Sequence, residues 1–277
     1  MVVSFRDLVR SLHSLEIERT HPVIAHASLS AFGKVAGGAD TLLGALLFTY
    51  ETLIMPTFTY KTMLIPETGP AGNAMVYGSG KERNCRAEFF RPDMPADRLM
   101  GIVPEVLRHY PKASRSSHPI LSFTGINADR ALRAQAIQEP LAPIRVLWEA
   151  RGWVLLLGVD QRVNTSIHLG ERLAGRKQFV RWALTPRGVQ ESPGFPGCSE
   201  GFEAIAPRIE ASIRRVRVGK ALVQAMPLAE LVETARAWVL ADPSALLCDH
   251  AYCDRCEALR KGIAGKSGPG GKLSPEG

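Results

Sequence analysis

The chain has 277 residues, 45% of them apolar and 22% charged, with 34 basic against 27 acidic side chains and a net charge of +7. That is long enough for one large domain or two small ones with a real core, and the balance excludes a disordered chain. No apolar run approaches the roughly 20 residues that cross a bilayer, and the N-terminus MVVSFRDLVRSLHSLEIER has no signal-peptide core or cleavage site, so a cytoplasmic protein without a membrane partner is expected.

In chain order, PVIAHASL (22–29) is a short apolar run bounded by turn residues and is expected as a buried strand. GGADTLLGALLFTYE follows with helical apolar spacing, and TLIMPTFT (52–59) reads as a second strand. Strand, helix and strand in this order make a βαβ unit, which predicts a parallel sheet in an α/β domain. Residues 60–95 carry many Pro and Gly and little periodicity, as expected of a long excursion placed as a lid over a site. Residues 96–110 are expected to be helical, with Pro104 starting or kinking the helix. WVLLLGV (153–159) is the third strand, and 199–213 and 227–240 are further helices, the latter with Pro at its first turn. The tail 264–277, AGKSGPGGKLSPEG, is expected to be loosely held.

Four segments carry chemistry. After the first strand, HASLSAFGKVAGGAD offers Ser28, Ser30, Gly33, Gly37 and Gly38 just before a helix. Backbone N–H groups there suit a phosphate, as the mild basic excess also does, though a tight structural turn explains the glycines equally well. In RSSHP (115–119), Arg115 could pair with a phosphate, or the hydroxyls could cap local backbone.

NTSIHLGE (164–171) follows the third strand, where ligands bind in open α/β sheets. The helix is expected to begin near Asn164 or Thr165. Thr165 and His168 are three apart, as are His168 and Glu171, so the three share a helix face. A histidine with a hydroxyl before it and a carboxylate after it is what a general base needs. The other reading is an N-cap followed by an exposed histidine, and the segment taken alone leans that way.

CDHAYCDRC (248–256) has the spacing C-x4-C-x2-C. Cys248, Cys253 and Cys256 supply three metal ligands, and Cys198 or His250 would complete four; reduced thiols in a terminal helix are the alternative. Cys85 stands alone, and five cysteines without a signal peptide do not make a disulfide framework.

The order of VIAHASLSAFGKVAGGADTLLGAL, TLIMPTFTY, RSSHPILSFTGINAD, VLLLGVDQRVNTSIHLGE and VGKALVQAMPLAELVETA resembles the aminoglycoside 3-N-acetyltransferase family across nearly the whole chain. The resemblance implies one α/β domain over 1–263 with a mostly parallel central sheet flanked by helices. This is the antibiotic N-acetyltransferase type, distinct from the histone-acetylase-like fold. It implies acetyl-CoA as donor and a primary amine as acceptor, expected to be the 3-amino group of an aminoglycoside, in a monomer or homodimer. It places CoA near His26, Ala27, Ser28, Leu29, Ser30, Gly33, Lys34 and Val35, with Ser116 and Ser117 toward the cofactor. The catalytic histidine falls on His168, with Thr165 beside it and Glu171 at the motif's acidic position. Some relatives hold a structural zinc on cysteines matching Cys198, Cys253 and Cys256, with Cys248 chosen here as the fourth.

A polycationic acceptor wants an acidic pocket, for which Glu171, Glu191, Asp93 and Asp160 are candidates. Two other functions compete: acetylation of another amine metabolite, and a zinc-containing nucleic-acid binder built on the basic run RIEASIRRVRVGK and the cysteines. No nucleic-acid-binding motif supports the latter, so no nucleic-acid partner is expected.

Overall fold

The computed structural model describes residues 2–266. Helix α1 (Phe5–His13) starts at a capping box between Ser4 and Asp7 and buries Leu8 and Leu12. Strand β1 (Val23–Ala27), helix α2 (Gly38–Thr49) and strand β2 (Leu53–Pro56) form the expected βαβ unit. Gly37 makes the entry to α2 at φ 76°, a conformation that favours glycine.

The excursion after β2 is anchored. It contributes a short strand β3 (Met63–Leu64) and one helical turn α3 (Lys81–Asn84). Helix α4 (Ile102–Arg108) follows, with Pro104 in its first turn, where the missing N–H has no helical partner to lose. Next come β4 (Ser114–Arg115), β5 (Phe123–Ile126), α5 (Asp129–Ala134), α6 (Ala142–Glu149) and β6 (Trp153–Leu157).

Helix α7 (Ile167–Leu173) begins after Ser166, slightly later than expected. The hairpin β7 (Phe179–Thr185) and β8 (Gly188–Phe195) precedes β9 (Arg214–Val218), β10 (Ala221–Pro227), α8 (Leu228–Ala241) and α9 (Asp254–Lys266). Residues 264–266, expected in the loose tail, belong to α9, and 267–277 lie outside the described residues.

The main sheet has the order β4-β5-β2-β1-β6-β10-β9. Its three central strands, β2, β1 and β6, are parallel. Antiparallel strands extend it on both sides, so the expected parallel character is concentrated at the centre. The central strands are buried on both faces, as parallel strands covered by helices are. Val23, Ala25, Leu53, Met55, Leu155 and Leu157 pack with α1, α2 and α4. Ile24, Ile54, Val154 and Leu156 face the other layer, with α6, α7 and α8.

A second, antiparallel sheet, β3-β7-β8, was not anticipated. The segment 199–213 was expected to be one helix; it forms 3-10 turns at Phe202–Arg208 and Glu210–Ser212, because Pro207 cannot donate to an α-helical ladder.

Two packing details position the site. Gly170 lets α7 lie directly on α8: a Cβ there would sit 2.6 Å from the Ala235 Cβ and 2.7 Å from the Val232 carbonyl oxygen. His118 clips the turn into β5, its Nδ1 accepting from the N–H groups of Ile120 and Leu121 at 3.2 and 2.9 Å. Burial pulls its pKa down to about 4.

Gly170→Ala should therefore destabilise the protein by about 1–3 kcal/mol, although alanine favours a helix interior by about 1 kcal/mol. Urea unfolding measures this, and an unchanged or raised stability would refute the close α7–α8 contact. As pH falls, the unfolded chain takes up the His118 proton first, near its ordinary pKa of about 6.5. Stability present at neutral pH is then lost between about 6.5 and 4, by up to about 3 kcal/mol from this residue. His118→Asn keeps an acceptor but cannot titrate, so it should flatten the unfolding-versus-pH slope; an unaltered slope would contradict the assignment.

Candidate active site

The carboxyl ends of β1, β2 and β6 open into a cavity of about 560 Å³ lined by Ala27, Pro56, Val159 and Thr165 among others. Ligands of open α/β sheets bind at such strand ends. After β6 the chain turns through Asp160, whose carboxylate accepts from the Arg162 N–H at 3.0 Å. Asn164 is buried; it donates to Gln161 Oε1 at 2.8 Å and accepts from the Ser166 N–H at 3.2 Å. This fixed turn places Thr165 and His168 on the cavity wall.

His168 is 6% exposed, so the reading of an exposed histidine does not hold. Its Nδ1 lies 2.6 Å from Glu171 Oε2, the contact that the three-residue spacing predicts. Arg176 Nη1 donates to the other oxygen of Glu171, and Arg176 Nη2 donates to the carbonyls of Pro243 and Ala245 at 2.9 and 2.6 Å. A carboxylate so held accepts a hydrogen bond from Nδ1–H, which puts the lone pair of the neutral ring on Nε2. Phe202 packs edge-on against the imidazole, with centroids 4.6 Å apart. The arrangement can take a proton at Nε2 and stabilise the resulting cation from behind.

His26 and Ala27 also line the cavity. The turn beyond them does not form its wall. Ser28 Oγ lies 3.1 Å from Ser30 Oγ, and Leu29 begins a 3-10 turn. Gly33 has φ 77°, Lys34 is exposed and Val35 bridges to Val3. Ser116 Oγ accepts from the Phe123 N–H at 2.8 Å, and Ser117 is exposed; neither lines the cavity. Arg115 is not free for a phosphate. Its guanidinium binds Ser122 Oγ and the carbonyls of Pro92, Met94 and Thr57.

Of the acidic candidates, Asp160 lines the cavity, paired with Arg162 at 2.6 Å. Glu171 stands behind His168, while Asp93 and Glu191 are exposed elsewhere. Glu200 and Arg255 line the cavity and were not singled out from sequence; their signal is adjacency to Cys198, Cys253 and Cys256. Of residues 60–95, only Tyr60 lines the cavity.

The sulfurs of Cys198, Cys248, Cys253 and Cys256 all lie within 4.8 Å of one another. Cys198 to Cys248 is 3.9 Å and Cys248 to Cys256 is 3.6 Å. Four thiolates at about 2.3 Å from one zinc would be about 3.8 Å apart, so the donor set fits that ion in number, chemistry and spacing. His250 is exposed and outside the group. The Cys198 thiol is held below its ordinary value because Cys256 and the Glu200 N–H donate to it. Cys256 is pushed up by that same hydrogen bond and by burial, and Cys248 by burial. All five cysteines are unpaired. The cluster backs the cavity wall: Gly197 and Glu200 flank Cys198, and Arg255, between two of the cysteines, donates to the Gly197 carbonyl at 2.8 Å.

No helix among the described residues is long and apolar enough to cross a membrane.

Comparison with known proteins identifies the family. The SPbeta prophage-derived aminoglycoside N(3')-acetyltransferase-like protein YokD of Bacillus subtilis is 28% identical over 86% of this chain and 93% of its own. Its crystal structure superposes with a TM-score of 0.76 at 26% identity, covering 88% of this chain and 96% of that one. Aminoglycoside N(3)-acetyltransferase VIII of Streptomyces fradiae is 29% identical over 84% of this chain and 90% of its own. The structure of AAC-IIIb in binary complex with CoASH shares the fold, with a TM-score of 0.70 at 22% identity over 86% of this chain and 97% of that one. The profile described as Aminoglycoside 3-N-acetyltransferase matches residues 24–240, from the start of β1 to the end of α8, and so takes in the His168 relay and the cavity lining other than Arg255. This chain belongs to the aminoglycoside 3-N-acetyltransferase family.

Proposed function

We propose that the protein transfers the acetyl group of acetyl-CoA to a primary amine, the 3-amino group of an aminoglycoside, with His168 as general base. The observation that carries this reading is the buried relay Arg176–Glu171–His168 opening onto the cavity. Nε2 of His168 takes a proton from the acceptor nitrogen, which attacks the thioester carbon. The new N–C bond leaves negative charge on the carbonyl oxygen, to which the Thr165 hydroxyl donates. The C–S bond then breaks, and the CoA sulfur receives the proton from the imidazolium. CoASH in the AAC-IIIb complex supports the donor, and the turn 28–35 beyond β1, outside the cavity wall, is the proposed seat of its pyrophosphate.

Asp160 and Glu200 supply negative charge for a cationic acceptor. Arg162 and Arg255 stand in the same wall, which favours a second reading: an amine that also carries an anionic group. We further propose that Cys198, Cys248, Cys253 and Cys256 hold a structural zinc, all four positions being thiolates. Bound zinc would tie α9 to the segment around Cys198 and so hold Arg255 and Glu200 in the wall. The unpaired thiols also support a reducing, cytoplasmic location.

Thiol release from acetyl-CoA, measured over a panel of aminoglycosides and of simple and carboxylate-bearing amines, separates the two acceptor readings. Turnover only with the carboxylate-bearing amines would overturn the aminoglycoside assignment. His168→Ala should lower kcat by about 10²–10⁴-fold with the fold intact; near-wild-type turnover would remove His168 from the mechanism. Protein purified without added metal should contain about one zinc per chain, with the four thiols protected from alkylation. Sub-stoichiometric metal together with four reactive thiols would end the zinc proposal.

A further inference from the structure

The relay uses one of the two histidines in the cavity wall. The other, His26, is 7% exposed. Alternate residues of a strand share a face. Ile24 packs in the same core as Ile167 and Leu169 of α7, so His26, two residues further along β1, is on the α7 side of the sheet, as His168 is. Register agrees: β1 and β6 are parallel neighbours with His26 opposite Leu156, and the segment after β6 delivers Thr165 and His168 to the same cavity.

The surroundings of His26 differ from those of His168. Its Nε2 is buried and has no hydrogen-bond partner among the described residues. Among the described residues no carboxylate stands behind it, and burial pulls its pKa down to about 4. It is therefore a neutral imidazole at physiological pH and cannot replace His168 as the base. A buried polar nitrogen without a partner is uncommon; sealed from solvent, Nε2 is not the atom a ligand reaches, and it is the cavity-facing side of the ring that can meet one. A neutral ring carries one N–H, which it can donate without giving up the proton. That suits an atom that is a neutral carbonyl oxygen before attack and an oxyanion after it.

We propose that His26 is a catalytic residue, its imidazole N–H donating to the thioester carbonyl oxygen of the acyl donor together with the Thr165 hydroxyl. The inference rests on the reading that acetyl-CoA is the donor. No bond to His26 forms or breaks. As the acceptor nitrogen adds, the carbonyl π electrons move to oxygen and the His26 hydrogen bond strengthens. As the C–S bond cleaves, those electrons return, and the proton stays on the ring throughout. His168 handles the transferred proton and His26 handles the transient charge. The two imidazoles are set apart by what lies behind them, Glu171 in one case and apolar β1 packing in the other.

The test uses the full chain with [1-13C]acetyl-CoA. Difference infrared spectroscopy reads the bound carbonyl stretch, which requires no acceptor. The wild-type protein should move the band to lower frequency, and His26→Phe should return it close to the position in solution. In turnover, His26→Phe and His26→Ala should lower kcat by about 10²–10³-fold, with the KM for acetyl-CoA nearly unchanged. His26→Gln, which keeps an N–H, should recover part of both effects. His26→Ala serves for both readouts if the phenylalanine variant does not fold. A band shift that survives loss of the imidazole, or a kcat near wild type, overturns the proposal. Failure of the wild-type protein to bind acetyl-CoA overturns it together with the donor assignment. A normal band shift lost in the variants, without turnover of any aminoglycoside, supports His26 and overturns only the acceptor assignment.

Discussion

The site depends on one buried ion pair. Glu171 is 1% exposed and Arg176 is 9% exposed. Ions removed this far from water are tolerated only when paired and hydrogen-bonded, and removing one partner strands the other at a cost of about 3–5 kcal/mol. Here both ions make further hydrogen bonds. Glu171 holds the His168 ring with its second oxygen, and Arg176 binds the two carbonyls that follow α8. The pair thus joins α7 to the exit of α8 and fixes which nitrogen of His168 faces the cavity. Gly170 makes this junction possible, since without a Cβ it brings the two helices into contact beside the pair.

The sheet supplies the frame. Among the described residues the parallel pairings of this sheet are those of β2, β1 and β6, and their carboxyl ends are where the cavity lies. β5 and β10 run the other way beside these strands, and β4 and β9 form the outer edges of the sheet. The second sheet, β3-β7-β8, packs Phe179, Ala183 and Phe195 into the core on the α7 side, and Phe195 also reaches the cavity wall. The excursion after β2 is held there through Met63 and Leu64 pairing with Ala183 and Trp182.

What could be read from the sequence was local. The central strands announce themselves as apolar runs because both faces are buried, and the His168–Glu171 contact follows from helix spacing. The cysteine spacing marked a ligand set whose four sulfurs do converge. Features that depend on distant partners were not legible. Arg176 matters because of carbonyls almost seventy positions later. β7 and β8 carry Arg181, Gln190 and Glu191 among their apolar residues, which blurs any alternation. Arg115 looked like an anion binder because its type suits phosphate, yet four protein groups occupy its guanidinium. In the sequence His26 is marked only by its place in a motif; that its Nε2 lacks a partner among the described residues appears only in three dimensions.

The contact of Arg255 with the Gly197 carbonyl has a consequence for the birth of the protein. A chain leaving the ribosome exposes β1, β6 and α7 well before α9, so the sheet and the His168 relay can assemble while the cavity still lacks a wall. That wall closes only when α9 docks and the sulfur of Cys198 meets those of Cys248, Cys253 and Cys256. Completion of the site therefore follows assembly of the sheet. A chain cut short before residue 248 would retain most of its core and lose one side of its cavity.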